Sequence, residues 1–178
     1  MKYLIRNNKG FSLLETLLVL GIAAFFTIML FMVASKKNYQ LEIDDIKKIK
    51  ENVISFYSAS PDYTGLTTET GIKNGLFFKT NLKQKNNKMI NSLNGNVFLS
   101  ESNSSPSGES GSSFMISYKD IPYGACRQII YSTYKDFYKI EVNSKIIKET
   151  TNNKEEINSD KINEICSENN NDIDFISL

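Results

Sequence analysis

Three side chains stand out as able to do chemistry: Glu15, Cys126 and Cys166. Glu15 lies inside an apolar run, Phe11 to Ala34, in which only Ser12, Thr16, Gly21 and Thr27 are otherwise not strongly apolar. A carboxylate there costs roughly 2.5–3.5 kcal/mol on insertion scales. A plain membrane anchor gains nothing from that cost. A helix that must dock on a positive partner gains a neutralising contact. The two cysteines lie far apart and outside the run. In an exported chain they can join as a disulfide, closing a loop worth about 4 kcal/mol. The alternative is a pair of buried free thiols. Their spacing excludes a CxxC redox site, and a zinc site lacks further soft ligands.

The remaining inventory points away from catalysis. The chain has no His, so the commonest general base and the commonest zinc ligand are absent. There is no Ser-His-Asp set, no metal-ligand cluster and no Gly-rich phosphate loop. Pairs such as Glu155-Glu156 sit in a polar stretch over 150–158 and read as solvated. No catalytic residue, metal site or cofactor is expected. A formal net charge of +1 implies no strong attraction to nucleic acid.

The apolar run is the element that positions Glu15. As a helix it is about 36 Å long, against a bilayer core of ~30 Å. Lys2, Arg6 and Lys9 precede it, so the N-terminus is expected to stay cytoplasmic and the rest to face outward. A cleaved secretory signal, with Ala34-Ser35 as a weak cleavage site, or a simple signal anchor would share this pattern. Glu15 fits neither.

Lys9-Gly10-Phe11-Ser12-Leu13-Leu14-Glu15-Thr16-Leu17 resembles the prepilin motif of type IV pilins and type II secretion pseudopilins. The resemblance implies cleavage by a membrane aspartyl protease between Gly10 and Phe11, with N-methylation of Phe11 by the same enzyme. It also implies that Glu15 docks on the N-terminal amine of a neighbouring subunit. An α-amine of pKa ~7.7–8 is a suitable partner.

Helical periodicity continues past Ala34 through Tyr39, Ile43, Ile46, Ile49, Val53 and Phe56 or Tyr57. Asp44, Asp45, Lys47, Lys48, Lys50 and Glu51 read as a solvated face. Pro61 ends the pattern. One helix from Phe11 to about Ala59 is expected; a membrane helix and a separate helix broken near Ala34-Ser35 is the alternative.

Beyond Pro61 the chain alternates short apolar groups with turn residues. A short helix is expected near 67–74, and a strand at Val97–Leu99 after the Asn94-Gly95 turn signal. Ser100–Ser113 reads as a loop, followed by a strand at Phe114–Tyr118. A helix over about 122–135 would open at Pro122 with Asp120 as cap. Strands at Phe137–Val142 and Lys145–Glu149 flank an Asn143-Ser144 turn. A short helix capped by Ser159 or Asp160 carries Ile162, Ile165 and Cys166, and a last strand covers Asp172–Leu178. The order gives an α+β fold: a long N-terminal α-helix, its hydrophobic half transmembrane, packed on an antiparallel sheet.

Phe114-Met115-Ile116-Ser117-Tyr118, Ala125-Cys126-Arg127-Gln128-Ile129-Ile130, Phe137-Tyr138-Lys139-Ile140 and Ile165-Cys166 before Asp172-Ile173-Asp174-Phe175 look like type IVb pilins, such as the toxin-coregulated and conjugative thin-pilus pilins. In those, one cysteine lies in a helix after a central strand and the other in a helix before a C-terminal strand. The short leader and Phe11 resemble the type IVa subclass instead. The resemblance implies four segments: a leader over 1–10, a membrane and filament-core half-helix over 11–34, an amphipathic half over 35–60, and a head over 61–178.

It further implies a subunit that passes from the inner membrane into an extracellular pilus filament for adhesion, aggregation or DNA transfer. Its partners would be copies of itself, other pilins, prepilin peptidase, and the assembly platform with its ATPase. A minor pilin, a type II secretion pseudopilin, and a signal-anchored adhesin that never polymerises are the alternatives.

Overall fold

The computed structural model describes residues 13–60, 62–150, 158–166 and 170–178. The chain divides into two compact units, Met1–Lys37 and Asn38–Leu178. Helix α1 spans Leu13–Phe56, so it runs through Ala34-Ser35 without the break that the two-helix alternative requires. It stops three residues short of the expected Ala59, in a turn where the Ser60 amide donates to Tyr57 O at 2.8 Å.

In the second unit the outer part of α1 is amphipathic. Ile43, Ile46, Ile49 and Val53 are at most 3% exposed and join one hydrophobic core. The solvated face expected between them is only partly so. Asp45, assigned to it above, is buried, as is Glu42.

The core is closed by a seven-stranded antiparallel sheet in the order β1-β2-β3-β4-β7-β5-β6. Its strands are β1 Lys83–Lys85, β2 Lys88–Ile90, β3 Asn96–Ser102, β4 Ser113–Ile121, β5 Lys139–Val142, β6 Lys145–Glu149 and β7 Asn171–Ser177. Alternation decides the faces. Met89, Val97, Leu99, Phe114, Ile116, Tyr118, Ile140, Val142, Ile173 and Phe175 point into the core. The helices are α2 Thr68–Lys73, α3 Tyr123–Thr133 and α4 Ser159–Ile165. Cys126, Ile129 and Ile130 from α3 and Ile162 from α4 are fully buried.

Local chemistry explains most boundaries. Two-residue turns join β1 to β2 at Asn86-Asn87 (φ 49° and 59°) and β5 to β6 at Asn143-Ser144 (φ 51° and 63°). Positive φ at both turn positions matches the right-handed twist of the strands, and Asn tolerates it. Thr67 and Thr70 cap α2 reciprocally.

Two expected caps are corrected. Asp120 does not cap α3: it sits at φ 59° in the register shift between Tyr118 and Ile121 of β4, a position that Asp tolerates. Pro122 opens α3 with no side-chain cap. The cap of α4 is Asn158, whose side chain accepts from Lys161 N at 3.0 Å, rather than Ser159 or Asp160. The β1–β2 hairpin has no counterpart in the sequence reading. The 150–158 stretch, with Glu155-Glu156, lies outside the described residues apart from Thr150 and Asn158.

Candidate functional site

Gly10 and Phe11 lie outside the described residues. Glu15 falls in the first turn of α1, but its side chain is likewise outside them. The part of α1 described in the first unit is apolar around its circumference. Leu17, Leu18, Val19, Leu20, Ile22, Phe25 and Phe26 are between 50% and 62% exposed. A contiguous surface of this kind needs cover by lipid or protein. Thr27 Oγ1 donates to Ala24 O at 2.8 Å or Ala23 O at 3.1 Å, so its hydroxyl is satisfied within the helix and tolerates apolar surroundings. Among the described residues no helix is long and apolar enough to cross a membrane.

In the second unit, α1 holds its neighbours through charged groups on its inner flank. Glu42 Oε1 accepts from Ser92 N at 2.7 Å, and Asp45 Oδ1 accepts from Asn81 N at 2.8 Å and Asn81 Nδ2 at 3.0 Å. Asn81 and Ser92 are the two feet of the β1–β2 hairpin, so two carboxylates one turn apart clamp both ends of it. Burial pushes both carboxyls above their ordinary pKa, against the lowering pull of these hydrogen bonds. Glu42 Oε2 and the Tyr118 hydroxyl are buried without a described partner. Burial and the Glu42 charge hold Tyr118 well above the usual phenol value.

A turn further along, Lys47 pairs with Asp136 at 3.0 Å, and Lys50 Nζ donates to Asp136 O and lies over the Phe137 ring. Buried Lys148 donates to Tyr134 O at 2.6 Å and Phe137 O at 2.5 Å. The carbonyls that follow α3 are thus closed by ammonium groups from α1 and β6. Sequence periodicity missed these clamps because it sorts charged residues to the solvent side. The readable signal was Glu42 spaced four residues before Ile46, in line with the apolar stripe.

Cys126 on α3 and Cys166 at the end of α4 form a disulfide, both fully buried, with Cα atoms 6.0 Å apart. Of the two alternatives left by the sequence, the structure holds the disulfide. The bond joins the helix that follows β4 to the helix that precedes β7, and these strands are neighbours. Among the described residues no group of His, Cys, Asp and Glu is placed to hold a metal ion.

An amphipathic helical segment under a seven-stranded antiparallel sheet, stapled at this point, defines the fold of a type IV pilin. Two solved structures share it. The type IV b pilin from Salmonella typhi aligns with a TM-score of 0.57 at 15% identity, over 75% of this chain and 95% of that one. TcpA, a type IV pilin from Vibrio cholerae El Tor biotype, aligns with a TM-score of 0.58 at 13% identity, over 80% and 99%. The family model described as PilS N terminal matches residues 36–178, and the chain belongs to that family. No curated protein matches the sequence. The identities are low enough that the two structures speak for the fold alone, and the likeness to type IVb pilins agrees with the placement of the cysteines.

Proposed function

We propose that the protein is a structural subunit of a type IV pilus. In this reading the leader over 1–10 is removed between Gly10 and Phe11, Phe11 is N-methylated, and residues 11–34 anchor the precursor in the inner membrane. On assembly the same segment enters the filament core, residues 35–60 carry the head, and residues 61–178 form the filament surface. Glu15 meets the methylated amine of a neighbouring subunit and sets its axial position. Prepilin peptidase, an assembly platform and its ATPase are the partners this pathway needs.

The observation that carries the reading is the combination of a pilin head with an uncovered apolar helix. The head has its own closed core. The apolar surface of residues 17–26 belongs to no core of its own. A non-polymerising anchor would need such a surface only for lipid, and would not need Glu15.

N-terminal sequencing and intact mass of the mature protein test the proposal. The expected start is Phe11 with one added methyl group; a protein still beginning at Met1 overturns it. Glu15→Ala is expected to abolish or sharply reduce filaments while the protein still inserts in the membrane. Normal filaments from that variant would remove the docking role.

A further inference from the structure

The outer face of the sheet is electrostatically lopsided. On its β4–β7–β5 side the charges are paired. Lys119 meets Asp172 and Asp174, both at 3.4 Å, and Lys139 meets Glu141 at 2.9 Å and Glu149 at 3.6 Å. On the β1–β2–β3 side they are not. Lys85 pairs directly with Lys88 across the hairpin, and Lys83 lies two residues from Lys85, so three ammonium groups share one face. Met89 points the other way, into the core. None of the three lysines forms an ion pair with a described carboxylate. The sequence from Thr70 to Ser100 contains no acidic residue at all.

Four further features bear on the purpose of this face. Like charges placed directly opposite destabilise a hairpin, so the Lys85–Lys88 pair is a local cost that the fold does not require. Lysines guard exposed sheet edges, but β2 is an interior strand, and that role does not explain Lys88. Glu42 and Asp45, which reach the hairpin from α1, are committed to Ser92 and Asn81, so they hold its feet. An aromatic ring completes the face. Asn96 pairs with Ile90, so Phe98, two residues on, stands beside Lys88 on the same side, and it is 41% exposed.

We propose that this face, Lys83, Lys85, Lys88 and Phe98, is a docking surface for single-stranded nucleic acid. A single strand carries one negative phosphate on every nucleotide. Lysines ~6.6 Å apart along β1 and ~5 Å apart across to β2 lie within reach of phosphates one or two nucleotides apart. An exposed ring on a sheet face gives a base a stacking partner. The near-zero net charge of the chain conceals the surface, because the compensating acids lie elsewhere. The inference concerns the head alone and does not depend on polymerisation.

The test is fluorescence anisotropy of a labelled oligothymidylate of about 20 nucleotides against the full chain in non-ionic detergent. Binding is expected to weaken about 20-fold between about 50 and about 200 mM salt, the dependence of three neutralised phosphates on a single strand. K83Q/K85Q/K88Q is expected to lose most of both the affinity and its salt dependence, and K85Q alone to lower the salt slope by about 0.7. F98L is expected to weaken binding about five-fold or more with the slope unchanged. Thermal melts check that each variant is folded, and K161Q on α4 should bind as wild type does. No binding at low salt overturns the proposal, as does binding indifferent to the triple substitution. So does duplex bound more tightly than single strand, or an acidic polysaccharide bound equally well with F98L silent. A chain that binds but forms no filaments would count against the pilus reading and leave this one standing.

Discussion

Glu42 shows what one residue can reveal. Its carboxylate is fully buried, accepts one amide N–H, and has no cation paired with it among the described residues. Its pKa is raised, so the folded state holds the proton at pH values where the unfolded chain has released it. The group therefore supports the fold most below its unfolded value of about 4.3, and that support is lost as pH rises through the raised folded value. Asp45 acts in the same direction. Glu42→Gln keeps an acceptor for Ser92 N–H without burying a charge. Urea melts at pH 7 should find it at least as stable as wild type, with a flatter pH dependence between about 4 and 7. Glu42→Ala strands the amide and is expected to cost about 1–3 kcal/mol. Gly95 is as exacting for a different reason: a Cβ there would lie 1.7 Å from Lys119 O. Gly95→Ala must push β4 away and is expected to lower the melting temperature by several degrees or more.

At the scale of elements, what was legible follows from periodicity and turn chemistry. The strand at Phe114–Tyr118 stood out because Phe114, Ile116 and Tyr118 alternate toward one core, and Asn143-Ser144 because a two-residue turn demands such residues. The β1–β2 hairpin was not legible. Its strands are three residues each, and Lys83-Gln84-Lys85 buries nothing. Its pairing comes from Met89 entering the core and from the clamp at Ser92 and Asn81, contacts that local pattern cannot carry. Of the candidate site, the cysteine pair could be named from the sequence; for the buried acids of α1 only the spacing of Glu42 to Ile46 gave a sign, since the amides they meet lie 36 and 50 residues away. The disulfide yields its own prediction. Cys126→Ser with Cys166→Ser is expected to lower stability by about 4 kcal/mol, read as a fall in the urea midpoint. Mass spectrometry of the alkylated wild type without reductant should find no label on either cysteine.

For the whole molecule, the two-unit division has a consequence that can be measured. Among the described residues, the core of the second unit draws on α1 from Tyr39 onward, with Ile43 the first buried apolar side chain. A chain that starts at Asn38 should therefore keep its near-UV circular dichroism, its disulfide and its cooperative melt, while losing detergent dependence. A collapsed near-UV signal would mean that the apolar segment is needed to fold the head.

The place of β7 bears on how the head comes together in time. Among the described residues, strands β1 to β4 have no pairing with the β5–β6 hairpin, and β7 is the strand hydrogen-bonded to both, through β4 and β5. Until it inserts, the two parts present open edges, and its pairing with β4 spans Ile121 to Asn171, a separation of 50 residues. Contacts that distant slow folding. The Cys126–Cys166 bond crosses the same gap close to its ends, leaving a path of about ten residues. By the logarithmic rule the shorter loop lowers the closure cost by roughly 1.4 kcal/mol, about a ten-fold gain in how often β7 meets its slot. Oxidation before insertion would then act as a basting stitch, and refolding from the reduced state should be slower by about that factor.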